Sequence, residues 1–288
     1  MPTVFLTGAY GFTGKYMSER LRNEGIDVYV LDCSITHREA VQKAVQEAQP
    51  DWVVHLAAVS FVGHKSDEAF YQVNVLGTLN LLESLATLSQ KPKRILIASS
   101  ANIYGTPNME LIDEQVTPAP VNHYGCSKLA MEHMVSNWFN RLPIIITRPF
   151  NYTGAGQSER FLIPKIVSHF AQRKPCIELG NLNISRDFSD VHDVCNDYIA
   201  LLKSTAQGIK VNICSGKAIS LKTIIEYMNE IAGYEIEVRT SQALVRTNEI
   251  PILKGSNALL QELIKQMPSI PIEKTLMEIY QYYLQNIT

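Results

Sequence analysis

The 288 residues suffice for one large domain or two, and with 46% apolar and 19% charged side chains they have an ordinary globular composition. A net charge of −2 carries no polycationic signature of a nucleic-acid binder, and no apolar run approaches the roughly 18–20 residues that cross a bilayer. Five scattered cysteines (33, 126, 176, 195 and 214) read as reduced thiols, and nothing before Gly8 resembles a leader, so a cytoplasmic protein without membrane or nucleic-acid partners is expected.

The chain opens on a short apolar strand, Thr3-Val4-Phe5-Leu6-Thr7. Gly8-Ala9-Tyr10-Gly11-Phe12-Thr13-Gly14 stands directly behind it, and an amphipathic helix then runs to Gly25. Strand, glycine loop and helix in this order form a dinucleotide-binding context. Gly8 permits the turn, Gly11 lets backbone approach a pyrophosphate, Gly14 lets helix pack on strand, and the helix N-terminus faces the phosphates. The glycines are spaced G-x-x-G-x-x-G, and a ligand-free glycine turn is the competing interpretation.

A second strand spans Ile26 to Asp32. Asp32 is near the separation at which an acid binds a ribose 2′-hydroxyl, yet Leu31 to Thr36 with Cys33 also suits an adenine-side turn, so NAD against NADP stays open. After a helix over Arg38–Ala48, the continuous apolar run Val53 to Val59 predicts a central parallel strand, with small Ala57 and Ala58 leaving room for a ligand at its end. His55 within it reads as a hydrogen-bonded core histidine. A long leucine-striped helix is expected from Asn74 to Leu85. Arg94 to Ser100 is another buried strand, ending in two serines ahead of Ala101-Asn102-Ile103-Tyr104-Gly105.

Asn122 to Ala130 then places Tyr124 and Lys128 four positions apart, on one helix face. An ammonium beside a phenol favours phenolate and is expected to bring the Tyr124 pKa toward neutrality, as a phenolic acid/base requires. The spacing alone also occurs on solvated helices. Its weight comes from the strand-end Ser100 before it, whose hydroxyl can bond the oxygen that Tyr124 protonates.

Beyond Gly154 the pattern continues with a helix starting at Phe161, a strand over Pro175–Leu179 and a helix over Val191–Lys203. A strand over Val211–Cys214 rejoins the main sheet, and a helix follows Ser220 as N-cap. The His192/Cys195 and His123/Cys126 spacings have no partner pair, so no metal site is expected.

In order and spacing, Gly8 to Gly14, His55-Leu56-Ala57-Ala58, Asn74 to Leu82, Ser99-Ser100 with Tyr104-Gly105, and Tyr124 to Lys128 resemble the extended short-chain dehydrogenase/reductases that act on nucleotide sugars. The resemblance covers nearly the whole chain. Arg148-Pro149-Phe150-Asn151 with Gly154 to Gln157, Gly180-Asn181-Leu182 with Arg186-Asp187-Phe188, and Arg246 to Pro251 look closest to its GDP-sugar branch. The fold implied is α/β: a Rossmann-type doubly wound parallel sheet with a smaller C-terminal α/β substrate-binding region. Residues 1–155, rejoined by 187–215, would bind the dinucleotide, and 156–186 with 216–288 the substrate.

The resemblance further implies NADP or NAD as cofactor. Gly8, Tyr10, Gly11, Phe12, Gly14, Asp32, Cys33, Leu56, Ala57, Ala58, Asn74, Tyr124, Lys128 and Arg148 would line the cofactor, and Ser100, Tyr124 and Lys128 would be catalytic. Asn102, Asn151, Asn181, Arg186, Arg246 and Glu249 would meet a nucleotide-sugar substrate, the arginine forks suiting its diphosphate. For Arg186 the alternative is a salt bridge to Asp187, Asp190 or Asp193. The implied reaction is reduction of the C4 ketone of a nucleotide-linked 4-keto-6-deoxy sugar, GDP-4-keto-6-deoxy-mannose by preference, to GDP-rhamnose or its C4 epimer. A C4 epimerase with tightly held NAD and a silent dinucleotide sensor are the alternatives. A homodimer through the Asn74 and Tyr124 helices is expected by the same resemblance. Asn102 stands where the dehydratases of the branch carry a glutamate base, which argues against water elimination. Tyr152-Thr153 replaces a more usual His-Ile, and the tail lacks a Gly-Trp-x-Pro.

Overall fold

A computed structural model of the chain describes residues 1–61, 66–241, 251–265 and 269–286. The apolar runs form one six-stranded parallel sheet, in the order Ile209–Ile213, Ile144–Pro149, Arg94–Ala98, Trp52–His55, Thr3–Thr7, Asp27–Val30. Side chains alternate between its faces. Val4 and Leu6 enter one core and Phe5 the other, and Ile145 opposes Ile144 and Ile146 in the same way. All six are fully buried, each worth about 1.5–3 kcal/mol, which explains why apolar residues occupy both faces of these central strands.

Helices Phe12–Asn23 and Val191–Lys203 cover the first face, while Arg38–Ala48, Thr78–Thr87 and His123–Ser136 cover the second. The chain leaves Thr3–Thr7 toward Asp27–Val30 and returns on the other side as Trp52–His55. This reversal opens a crevice beyond the carboxyl ends of those two neighbours.

One expected helix is more elaborate than its leucine stripe implies. Asp67–Tyr71 is α-helical, Gln72–Gly77 is a wide π turn, and Thr78–Thr87 resumes the α-helix. The π turn carries Asn74, which is 1% exposed. Wide turns of this kind gather at functional sites.

A second core is built around helices Leu162–Ala171, Leu221–Ala232 and Ile272–Asn286. Its mixed sheet takes Ala218–Ser220, Ser185–Asp190, Ile252–Gly255 and Leu111–Ile112 in that order, with Asn151–Thr153 also paired to Ser185–Asp190. The tail is shared between the two bodies. Leu260 and Ile264 sit in the core under the six-stranded sheet, although sequence assigns 216–288 to the smaller region. Among the described residues no helix is long and apolar enough to cross a membrane.

Candidate active site

The glycine loop closes on the crevice. Gly8 adopts φ +72°, and a Cβ there would come within 2.7 Å of the Ala57 nitrogen, so only glycine lets the two strand ends touch. Gly11 N–H donates to the Gly8 carbonyl at 3.0 Å and opens helix Phe12–Asn23 with no side-chain cap, leaving the first-turn N–H groups to an anionic ligand. This cradle fits a dinucleotide pyrophosphate. Tyr10 at its rim is 73% exposed, and Asp32 is exposed just past the Asp27–Val30 strand, with Cys33, Leu56, Ala57 and Ala58 half-buried along the crevice. Phe12 turns inward, its ring stacked on Tyr152 with centroids 6.3 Å apart.

A row of hydrogen bonds braces the crevice from behind. Ala57 N–H donates to Thr7 Oγ1 (3.1 Å), and Thr7 bonds His55 Nδ1 (2.7 Å). His55 Nε2 meets Thr78 Oγ1 (2.8 Å), which donates to the Asn74 carbonyl (2.7 Å). Because the Thr78 proton is committed to that carbonyl, His55 must donate from Nε2 and accept at Nδ1. Burial, aided by the charge of Lys128, pushes its pKa down to about 3, so the ring stays neutral. Asn74 differs from the expected cofactor ligand. Its amide clamps Val59 N (2.9 Å) and O (3.2 Å) and reaches Ser127 Oγ (2.9 Å), fastening the strand-end loop to the helix that carries Tyr124.

Ser100, Tyr124 and Lys128 do come together. Asn122 caps helix His123–Ser136 through Gly125 N (2.8 Å), and a Cβ on Gly125 would lie 2.7 Å from the Asn102 carbonyl. Glycine directly after Tyr124 therefore lets the helix start lie against the Ser100 turn. Ser100 Oγ accepts both Asn102 N–H and Asn102 Nδ2 at 3.1 Å, and its hydroxyl lies near enough to the Tyr124 phenol to lower its pKa. Lys128 Nζ donates to the Ala98 carbonyl at 2.7 Å, at the end of the neighbouring strand.

The electrostatics differ from the sequence expectation. Burial pushes the Tyr124 phenol up to about 12, against the lowering effect of the Ser100 bond, while burial pulls Lys128 down to about 8 despite Glu132. Tyr124 is thus a protonated acid at neutral pH rather than an incipient phenolate. That is the form a proton donor to an alkoxide needs, since an alkoxide is the stronger base.

Arg148, expected at the cofactor, is 3% exposed, its Nη2 at 2.7 Å and Nε at 3.0 Å from the Glu132 carboxylate and its Nη1 at 2.9 Å from Tyr104 Oη. Tyr104 in turn donates to Asn212 Oδ1 (2.7 Å). A guanidinium committed in this way ties the helix of Tyr124 to the turn Ala101–Tyr104.

The expected substrate residues fare unequally. Asn151 is exposed, with its Nδ2 donating to the Asp187 carbonyl at 3.2 Å. Asn181 turns its Oδ1 onto Asn183 N (2.9 Å) and so shapes its own loop. Arg186 lies between Ile219 and Leu253 in the mixed sheet, with Nη1 on the Ser185 carbonyl at 2.9 Å. The acids offered as its alternative partners hold other donors: Asp187 takes Ser215 N and Oγ, Gly216 N and Gly255 N, Asp190 takes His192 and Thr275, and Asp193 takes Ile270 N. Arg246 and Glu249 lie outside the described residues. Among the described residues Asp190, His192 and Glu278 alone offer ligand atoms within 4.8 Å of one another, but Asp190 is occupied in capping and in holding Thr275.

Sequence reasoning missed Glu132, Tyr104, Gly125 and Tyr152. Glu132, one helical turn past Lys128 among apolar neighbours, is a visible signal: an acid there must find a buried cation. Tyr152 Oη bonds Thr13 Oγ1 at 2.8 Å and joins the glycine-loop helix to the Asn151–Thr153 strand, a pairing across 139 positions that no local pattern announces.

The sequence pattern of the NAD dependent epimerase/dehydratase family matches residues 4–214. GDP-6-deoxy-D-talose 4-dehydrogenase of Aggregatibacter actinomycetemcomitans is 36% identical over 267 residues, 91% of this chain and 90% of that protein. GDP-6-deoxy-D-mannose reductase of Pseudomonas aeruginosa is 32% identical over 96% of this chain and 95% of its own length. The solved structure of RMD from Pseudomonas aeruginosa complexed with NADPH superposes with a TM-score of 0.92 at 29% identity, covering 100% of both chains.

Proposed function

Because the chain belongs to the NAD dependent epimerase/dehydratase family and is an NAD(P)-dependent oxidoreductase, we propose that it reduces the C4 ketone of a GDP-linked 4-keto-6-deoxy sugar. The substrate in this reading is GDP-4-keto-6-deoxy-mannose, and the product is GDP-rhamnose or its C4 epimer, the 6-deoxy-talose. The observation that carries it is the contact of Ser100 with Tyr124 beside Lys128, at the crevice end of a strand, with an amide rather than a carboxylate at position 102.

When bound, the dinucleotide supplies the hydride. Ser100 donates a hydrogen bond to the carbonyl oxygen and polarises it while keeping its proton. Tyr124 gives up its own proton as charge develops there, and the phenolate formed is stabilised by the Lys128 ammonium and recharged from solvent. Asn102 cannot remove a carbon-bound proton, which disfavours elimination. Asn151 is suited to a sugar hydroxyl and Arg186 to the diphosphate.

Two relatives whose names point to the two C4 epimers of one sugar leave the facial choice to experiment. Incubation with NADH or NADPH and a panel of nucleotide 4-keto-6-deoxy sugars, followed by loss of cofactor absorbance and NMR of the product's C4, is the test. No oxidation of cofactor with any of them refutes the reading. A UDP-glucose 4-epimerase relative at 27% identity favours a second reading, a C4 epimerase, which would purify with NAD bound and consume none.

The reading also divides the chain into a dinucleotide part around the six-stranded sheet and a substrate part around the second core. It places the enzyme in cytoplasmic glycan-precursor synthesis, and as a dimer through the Asn74 and Tyr124 helices, near Leu76, which is 47% exposed. A monomer mass in solution would end the dimer proposal.

A further inference from the structure

Ser100 must be a donor to polarise a ketone, yet a serine hydroxyl rotates freely between donating and accepting. Its surroundings here decide the matter. The backbone N–H and side-chain Nδ2 of Asn102 both point at Ser100 Oγ, each at 3.1 Å, from the turn Ala101–Tyr104. Two accepted bonds fill the two lone pairs. The one remaining hydrogen-bonding capacity of Ser100 is its own proton, and Ser100, 6% exposed, has little water with which to exchange roles.

We infer that Asn102 is a positioning residue that fixes the direction of the Ser100 hydroxyl, so that its proton is held toward the reacting carbonyl and Tyr124. This rests on the reductase reading and goes beyond it. Asn102 then does more than lack the basicity of a carboxylate. A carboxylate at the same place would accept the Ser100 proton and turn the hydroxyl away from the ketone. The side chain at position 102 would thus set the polarity of the site as well as exclude elimination.

The exposure of Asn102 means its variants should fold. Asn102→Ala leaves Ser100 its backbone bond and a rotating hydroxyl, and kcat is expected to fall roughly tenfold or less. Asn102→Asp at pH 8 captures the serine proton, and kcat should fall about 100-fold, the scale of losing one donor to a developing oxyanion. A protonated carboxyl donates as the amide did. The deficit of Asn102→Asp relative to Asn102→Ala should therefore close as pH falls through the carboxylate range. Titration of Tyr124 and Lys128, the groups facing Ser100 from the helix, affects both variants and divides out. In a Ser100→Ala background, Asn102→Asp should cost nothing further.

The assays run in parallel on the GDP-4-keto sugar and on trifluoroacetophenone, a small activated ketone that needs the proton donors but no sugar site. Reduction of the ketone alone refutes the substrate assignment and still tests Asn102. Reduction of neither overturns both. Equal rates for the two Asn102 variants at every pH, a deficit that does not vary with pH, or additivity with Ser100→Ala would overturn the positioning role.

Discussion

Two hydrogen-bonded clusters share the turn after Ser100 and the helix of Tyr124, and they are finished differently. In the one around Arg148, charge and capacity are used up: Glu132 is 0% exposed and takes the guanidinium fork, Tyr104 both accepts from Arg148 and donates to Asn212, and Asn212 Nδ2 reaches the Ile112 carbonyl at 3.1 Å. In the one around Ser100, capacity is left over. The serine keeps a proton, Tyr124 keeps its own, and the Lys128 ammonium has one bond to Ala98 and two further N–H groups. Both are buried, so burial is not what separates scaffold from site. The residual capacity to donate separates them.

Removing a group from each cluster should therefore damage different properties. Tyr124→Phe is expected to lower kcat by about 10²–10⁴, with dissociation of NAD(P)H, followed by fluorescence, nearly unchanged. Turnover close to wild type would remove Tyr124 as the acid. Arg148→Met leaves the buried Glu132 carboxylate with only Lys210 Nζ, 3.7 Å away, in place of the guanidinium fork, and unfolding in urea should show a loss of about 3–5 kcal/mol. A stable variant with weakened cofactor binding would instead restore Arg148 to the cofactor site.

Lys128 sharpens the comparison through pH. Its folded pKa of about 8 lies below the usual 10.5, so the charged form is disfavoured in the fold, and the ammonium is lost as pH rises through about 8. The reduction rate should fall on that alkaline limb. For stability the sign is opposite: the penalty for burying the charge is present below 8 and relieved between about 8 and 10.5. Lys128→Met should flatten both profiles, and an unchanged alkaline limb in its rate profile would assign that limb elsewhere. The smallest effect is expected at the crevice rim. Where Asp32 holds the adenosine ribose, Asp32→Ala should shift the NADPH/NADH ratio of kcat/KM toward NADPH by about tenfold by removing that charge. An unmoved ratio places Asp32 away from that ribose.

What could be read in advance was whatever the chain keeps contiguous. The glycine loop, the all-apolar strands and the Tyr124–Lys128 spacing each lie within one element, where periodicity and turn chemistry decide the outcome. Ser220 capping Leu221–Ala232 through Thr223 N at 3.0 Å is legible for the same reason. Arg148 was not, because its partners lie 16 and 44 positions away and an arginine at a strand end looks alike whichever way it turns. The lowered Tyr124 pKa expected from spacing does not hold because burial dominates this phenol, opposed by Ser100 and not by Lys128. The mixed sheet, assembled from residues 111 to 255, has no local signature at all.

The head-to-tail protons running from Ala57 through Thr7, His55 and Thr78 to Asn74 restrict what this stretch can become. Whatever occupies position 55 must accept at one end and donate at the other without ever carrying charge. Among common side chains a carboxamide meets that description and an ammonium or carboxylate does not. Sequence drift here is thus channelled toward neutral, two-ended groups, and a threonine at either flank is interchangeable with serine but not with its isosteric valine.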